Sequence, residues 1–148
     1  MKRSVVAALT LCASAAGLAA FIWSGPSEIR LYTADELAEL TCEALGERHE
    51  EVIFAYHDAE LAYYRQTGAF HDDLGIPSED VVPYAVLIKR FLRDHEISET
   101  DIADTSSTTP ILSSDFYYAA STICATNPSW QATDAMRQAA LNLGLIDE

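Results

Sequence analysis

The sequence predicts a small all-α domain, a bundle of four to five helices pinned by one disulfide. Three observations carry this expectation. Apolar residues recur at steps of three and four along most of the chain after residue 30, the period of an amphipathic helix. Alternating runs of β-branched and aromatic residues, which would mark strands, are nearly absent. Two cysteines, Cys42 and Cys124, stand in a region that reads as exported, where pairing is the ordinary fate of such thiols.

Export is read from the first 25 residues. "MKR" is a short basic start, and "SVVAALTLCASAAGLAAFIWSG" follows without a charge. Small residues late in the run, at Gly17-Leu18-Ala19, suit a secretory signal cut near Ala19 or Ala20. The apolar run from Ser4 to Gly25 is also long enough to remain as a membrane anchor. Leu11 before Cys12 argues against a lipoprotein signal. Under either reading residues 26–148 form one acidic domain outside the cytoplasm, and the expected location is the periplasm.

The first helix is expected from "TADELAELTCEALG", with Thr33 as N-cap and Glu36 three residues later as its capping-box partner. Leu37, Leu40 and Ala44 mark its apolar face, and Gly46 permits a break or kink. "ERHEEVIFAYHDAELAYYRQTG" continues as helix, with Val52, Tyr56, Ala59 and Tyr63 at steps of four, three and four, and Gly68 as its stop. "AFHDDLGIP" is a connection, and Ser78 to Val82 a lead-in turn. Pro83 then opens a helix whose buried face is Tyr84, Leu87, Ile88, Phe91 and Leu92. "SETD" suits a short helical turn, and "DTSSTTP" a loop. Ser113 or Ser114 caps "DFYYAASTICAT", which buries Phe116, Ala120 and Ile123 and turns Cys124 toward the core. Asn127-Pro128 ends it. Ser129 is expected to start the last helix, with Ala132, Met136, Ala139 and Leu143 on its face and Gly144 at its end.

Cys12 lies in the signal, which leaves Cys42 and Cys124 as an even pair. A nucleophilic cysteine needs an activating neighbour, and no His or Lys stands within a helical turn of Cys124. Zinc sites ordinarily use paired ligands such as C-x-x-C, which this chain lacks. The bridge is the remaining role, and it would join the first helix to the penultimate one.

Other chemistry finds little support. His49, His57, His71 and His95 form neither H-E-x-x-H nor Glu-x-x-His patterns, so no metal site is assigned. Nucleophile elbows and Gly-rich phosphate loops are missing, and no cofactor or catalytic residue is expected. Residues 26–148 carry all 23 acidic residues and, with Lys2 and Arg3 set aside, seven of the nine basic ones, a formal charge of −16. Such a surface excludes nucleic-acid phosphates as partners and disfavours anionic lipid headgroups. Membrane association then depends on retention of the N-terminal segment. The aromatic doublets Tyr63-Tyr64 and Tyr117-Tyr118 put one ring inward and its neighbour, about 100° round the helix, nearer solvent. Val52, Tyr56, Tyr63, Tyr64, Phe116 and Tyr117 are the candidate residues for contact with a protein client or partner.

The order of these features resembles the HdeA-type periplasmic acid-stress chaperones. The resemblance rests on "TCEAL" near the mature start, the aromatic stretch "LAYYRQTG", and "ICATNPSWQATDA" with Cys124, Pro128 and Ala135. It implies a small exported helical protein with one disulfide, folded and inactive near neutral pH. In acid it would dissociate or loosen and offer apolar surface to unfolding clients; a homodimer is compatible with it. The cysteines stand further apart here than in that family, with insertions around "AFHDDLGIP" and "DTSSTTP". With carboxylates protonated and the four histidines charged, −16 becomes about +11. Two other classes fit an exported acidic domain. One is an interaction protein, such as an immunity protein or inhibitor set against a basic partner. The other is an accessory subunit held beside a membrane complex by its N-terminal segment.

Overall fold

The computed structural model describes residues 29–71, 77–103 and 106–147. The expected signal or anchor at 1–25 lies outside the described residues, as do 72–76 of the predicted connection and 104–105 of the predicted loop. Five α-helices appear in the order α1 (Ala34–Ala38), α2 (Cys42–Thr67), α3 (Pro83–Asp94), α4 (Asp115–Thr126) and α5 (Ala132–Asn142), with a 3₁₀ turn at Glu99–Asp101 between α3 and α4. The all-α class and the single bridge are those the sequence predicts. Among the described residues no helix is long and apolar enough to cross a membrane.

Local rules explain most boundaries. At the start of α1 the Thr33 hydroxyl accepts from the Glu36 N–H, while the Glu36 carboxylate accepts from the Thr33 N–H at 2.9 Å. Pro83 takes the first turn of α3, where a missing N–H costs nothing. Ser114 caps α4: its hydroxyl accepts from the Tyr117 N–H at 3.1 Å and donates to the Ile111 carbonyl at 2.6 Å. Gly68 ends α2 in the left-handed region at φ 73°, which a residue with a Cβ adopts only under strain.

Two boundaries differ from expectation. The chain breaks at residues 39–41 rather than at Gly46, because Thr41 caps a new helix by accepting from the Ala44 N–H at 3.3 Å. Gly46 stays helical at the surface, where an added Cβ would meet nothing. The bridge therefore joins the second helix to the fourth. The last helix starts at Ala132, three residues after Ser129, because the intervening backbone is committed elsewhere. The Trp130 carbonyl accepts from the Cys42 N–H at 2.8 Å, the Pro128 carbonyl accepts from the Glu43 N–H at 3.0 Å, and the Ala132 N–H donates to the Leu40 carbonyl at 2.9 Å. Two of the N–H groups that a helix start leaves open are thus satisfied in α2 by the turn before α5. Ala132, Met136 and Ala139 are buried as predicted and Ala135 and Ala140 join them, while Leu143, the C-cap just past the end of α5, is exposed.

The core joins all five helices. Leu37 of α1, Leu45 of α2, Leu87, Ile88 and Leu92 of α3, Phe116 and Ala120 of α4, and Met136 and Ala139 of α5 are fully or almost fully buried. All five residues predicted for the buried face of α3 are buried. The Phe91 and Phe116 rings meet with centroids 5.6 Å apart. The α4–α5 and α1–α3 pairs pack most extensively, and Arg90 of α3 ties α1 by an ion pair to Asp35. Glu79, in the turn before α3, is buried, and its carboxylate accepts from the Leu112 N–H at 2.8 Å. That bond fastens the lead-in of α3 to the lead-in of α4.

Candidate functional site

Helix α2 organises the surface of interest. At about 1.5 Å per residue its 26 residues span about 39 Å, longer than any other helix among the described residues. Its base is fixed twice, by the backbone bonds to Trp130 and Pro128 and by the Cys42–Cys124 bridge, whose Cα atoms lie 4.9 Å apart. Leu45 and Val52 are fully buried, and beyond Val52 the helix is half-buried at best.

His49 lies between these two buried residues. Its ring meets Tyr84 of α3 edge-on, with centroids 5.1 Å apart at 79°, and faces Tyr117 of α4 at 6.4 Å. Tyr84 and Tyr117 meet each other edge-on at 5.7 Å. The three rings make an aromatic clamp where α2, α3 and α4 converge. The His49 Nδ1 atom is buried there and has no hydrogen-bond partner among the described residues. Burial holds the His49 pKa below its ordinary value, only partly offset by the Glu50 carboxylate nearby. Burial likewise pushes the Tyr84 phenol up to about 12, with Tyr117 adding to the effect, and raises Tyr117 as well. At neutral pH the clamp is therefore uncharged.

Beside it, a groove of about 450 Å³ runs between α2 and α4 over the disulfide, lined among others by Glu43, Glu47, Glu50, His49 and Tyr84. It offers carboxylates and ring faces. Among the described residues no group of three His, Cys, Asp or Glu side chains is placed to hold a metal ion.

The six contact candidates separate by depth. Val52 and Phe116 are fully buried, so in the folded state neither forms surface. Tyr56, Tyr63 and Tyr117 are half-buried, and Tyr64 is 43% exposed. The doublets divide as the helical angle requires, Tyr118 being the outer ring of its pair. Tyr63 meets the His71 ring edge-on at 5.0 Å, and Tyr64 stacks on Phe70 at 4.6 Å. Sequence reasoning missed three residues that matter here. Tyr84 was assigned only to the core of α3, although it also closes on His49. Phe54 and Phe70 are the most exposed large apolar side chains among the described residues, at 61% and 63%. The seven-residue step from Phe54 to Leu61, off the Val52 stripe, is the signal that could have found the first.

No protein-family model, no curated protein and no solved structure matches this chain.

Proposed function

We propose that this chain is an exported helical holding protein, closed near neutral pH and loosened in acid so that its inner helix faces receive apolar segments of unfolding client proteins. The observation that carries this reading is the His49 clamp. Below its ordinary titration range a histidine gains a proton readily in the unfolded chain but only with difficulty between Tyr84 and Tyr117. Acid therefore favours the open form. The charged or titratable groups facing His49 are the Glu50 carboxylate of its own helix, the Tyr84 phenol of α3 and the Tyr117 phenol of α4. The Glu50 carboxylate works against the effect but is outweighed by burial.

Opening at this point separates α2 from α3 and α4 and exposes Val52, Tyr56 and Tyr63 together with Phe116 and Tyr117, adding to the already exposed Tyr64. The bridge keeps α2 and α4 tethered, so the loosened chain stays compact enough to close again. The swing from −16 to about +11 adds repulsion in the same direction and keeps the acid form soluble. The N-terminal apolar run supplies the route out of the cytoplasm, where acid reaches the protein.

The test is light scattering of an acid-labile client from pH 7 down to pH 2, with and without this protein. Protection confined to low pH, paralleled by reversible binding of an apolar dye, is the expected result. No protection at any pH, or precipitation of the protein itself below its pI of about 4.4, removes the reading.

A further inference from the structure

At neutral pH the folded protein presents a second face of α2, opposite the one that packs inward. With about 100° per residue, Leu45, Val52, Tyr56 and Tyr63 fall within an arc of about 40°. Glu43, Glu47, Glu50, Phe54, Leu61 and Tyr64 fall within about 100° of one another, centred on the opposite side. The three glutamates are exposed, stand at steps of four and three, line the groove above the disulfide, and enter no ion pair among the described residues. Past them the same arc becomes mainly apolar, with Phe54 standing out of the surface, Leu61 half-buried, and Tyr64 extended sideways by its stack on Phe70, while the exposed His57 and Arg65 flank this apolar row. From Glu43 to Tyr64 the strip runs about 31 Å, which matches five to six turns of a partner helix.

We propose that this outer face of α2 docks a basic amphipathic segment of a partner protein. Its Lys or Arg side chains enter the Glu43–Glu47–Glu50 half, and its apolar side chains cover Phe54, Leu61 and Tyr64. The charge pattern selects this occupant. A second copy of the chain would bring −16 against −16, and an antiparallel pairing of the strip would set Phe54, Leu61 or Tyr64 against unpaired carboxylates. A purely apolar segment would leave the glutamate half without a counterpart. A basic amphipathic helix satisfies both halves in one register, and the groove gives its cationic side chains depth beside the helix backbone. This proposal concerns the closed protein and does not rest on loosening in acid.

The test uses the full exported chain at pH 7.5 and three synthetic peptides of about 18 residues with one leucine face, their polar positions filled with Lys, Gln or Glu. Fluorescence anisotropy should show binding of the Lys peptide only, weakening about tenfold or more between low and moderate salt. The double variant Phe54→Ser/Leu61→Ser should weaken it at least about tenfold, the equivalent of 1.4 kcal/mol, with an unchanged circular dichroism spectrum. Glu47→Gln/Glu50→Gln should flatten the salt dependence while leaving helicity intact. Equal binding of the Gln or Glu peptide overturns the proposal. So does binding of the Lys peptide that ignores both double variants, which would mark general attraction to an acidic protein. Sedimentation showing self-association that Phe54→Ser abolishes also overturns it, by assigning the face to a second copy. Failure on any of these counts leaves the acid-dependent client test untouched.

Discussion

Thr41 and Gln131, the cap residues of α2 and α5, face each other across a single antiparallel bridge. Two helix starts that lie 90 residues apart in sequence are thereby held side by side, and the Cys42–Cys124 bond closes over the same corner. Hydrogen bonds set this geometry, and the covalent link makes it hard to lose. The division of labour shapes what each substitution should do.

Replacing both Cys42 and Cys124 by Ala should lower stability by about 2–5 kcal/mol, because the unfolded chain regains the freedom of a loop of some 80 residues. Far-ultraviolet circular dichroism should keep its helical form at neutral pH, since the backbone bonds at the corner remain. Urea denaturation and an intact-mass comparison with and without reductant check both statements. Free thiols in correctly exported protein would refute the pairing.

Stability should fall in two stages as pH drops. His49 has a folded pKa below its unfolded value of about 6.5, so its share is complete above that pH and is lost as pH falls through the depressed folded value. The second stage comes from carboxylates. Glu36 is held low by the Thr33 backbone N–H, then by the Thr33 hydroxyl and Arg30, and Asp80 is held low by Lys89. Their contribution is present above the usual carboxylate range and disappears below it. Denaturation midpoints measured from pH 7.5 to 3 should show both stages in the natural chain. His49→Phe, which keeps a ring in the clamp, should remove the first stage and leave the second. An unaltered profile in that variant would dismiss the clamp as an acid-sensitive element.

Depth should order the aromatic truncations. Phe116→Ala empties a fully buried site and should cost about 3–5 kcal/mol. Tyr56 is only half-buried, so Tyr56→Ala should cost about 1–2 kcal/mol, less than a fully packed stripe would imply. Thermal unfolding of the two variants side by side decides the order. A larger loss for Tyr56 would mean that the outer half of α2 packs more deeply than it does here.

Glu79→Ala should cost about 1–3 kcal/mol, since it removes the acceptor of the Leu112 N–H and leaves that donor partly buried without a partner. Glu79→Gln retains an acceptor oxygen and should recover most of the loss. Equal losses in the two variants would show that charge matters more than the hydrogen bond.

The helices and the bridge were legible in the sequence because their signals are local or few in number. Thr33 with Glu36, Pro83, Ser114 and Gly68 each act within a turn of where they stand, and two cysteines allow only one intramolecular pairing. The break at residues 39–41 was not legible, because it depends on the backbone of residues 128–132 arriving alongside it. The clamp was hidden for a related reason. His49, Tyr84 and Tyr117 are ordinary residues on three separate helices, and only tertiary packing shows that one ring nitrogen of His49 is buried without a partner. Leu143 failed as a core residue because α5 ends at Asn142 and leaves it in the cap at the surface, and periodicity alone does not fix where a helix stops.

Because α2 is fastened at its first residue and packs less deeply beyond Val52, it is mechanically a lever with its pivot at Cys42. His49 sits about 10 Å from that pivot and Tyr64 about 33 Å from it along the axis. A tilt of about 10° therefore shifts the His49 ring by less than about 2 Å but carries the tip by nearly 6 Å. A displacement no larger than one water molecule at the clamp becomes, at the helix tip, a movement about three times as large.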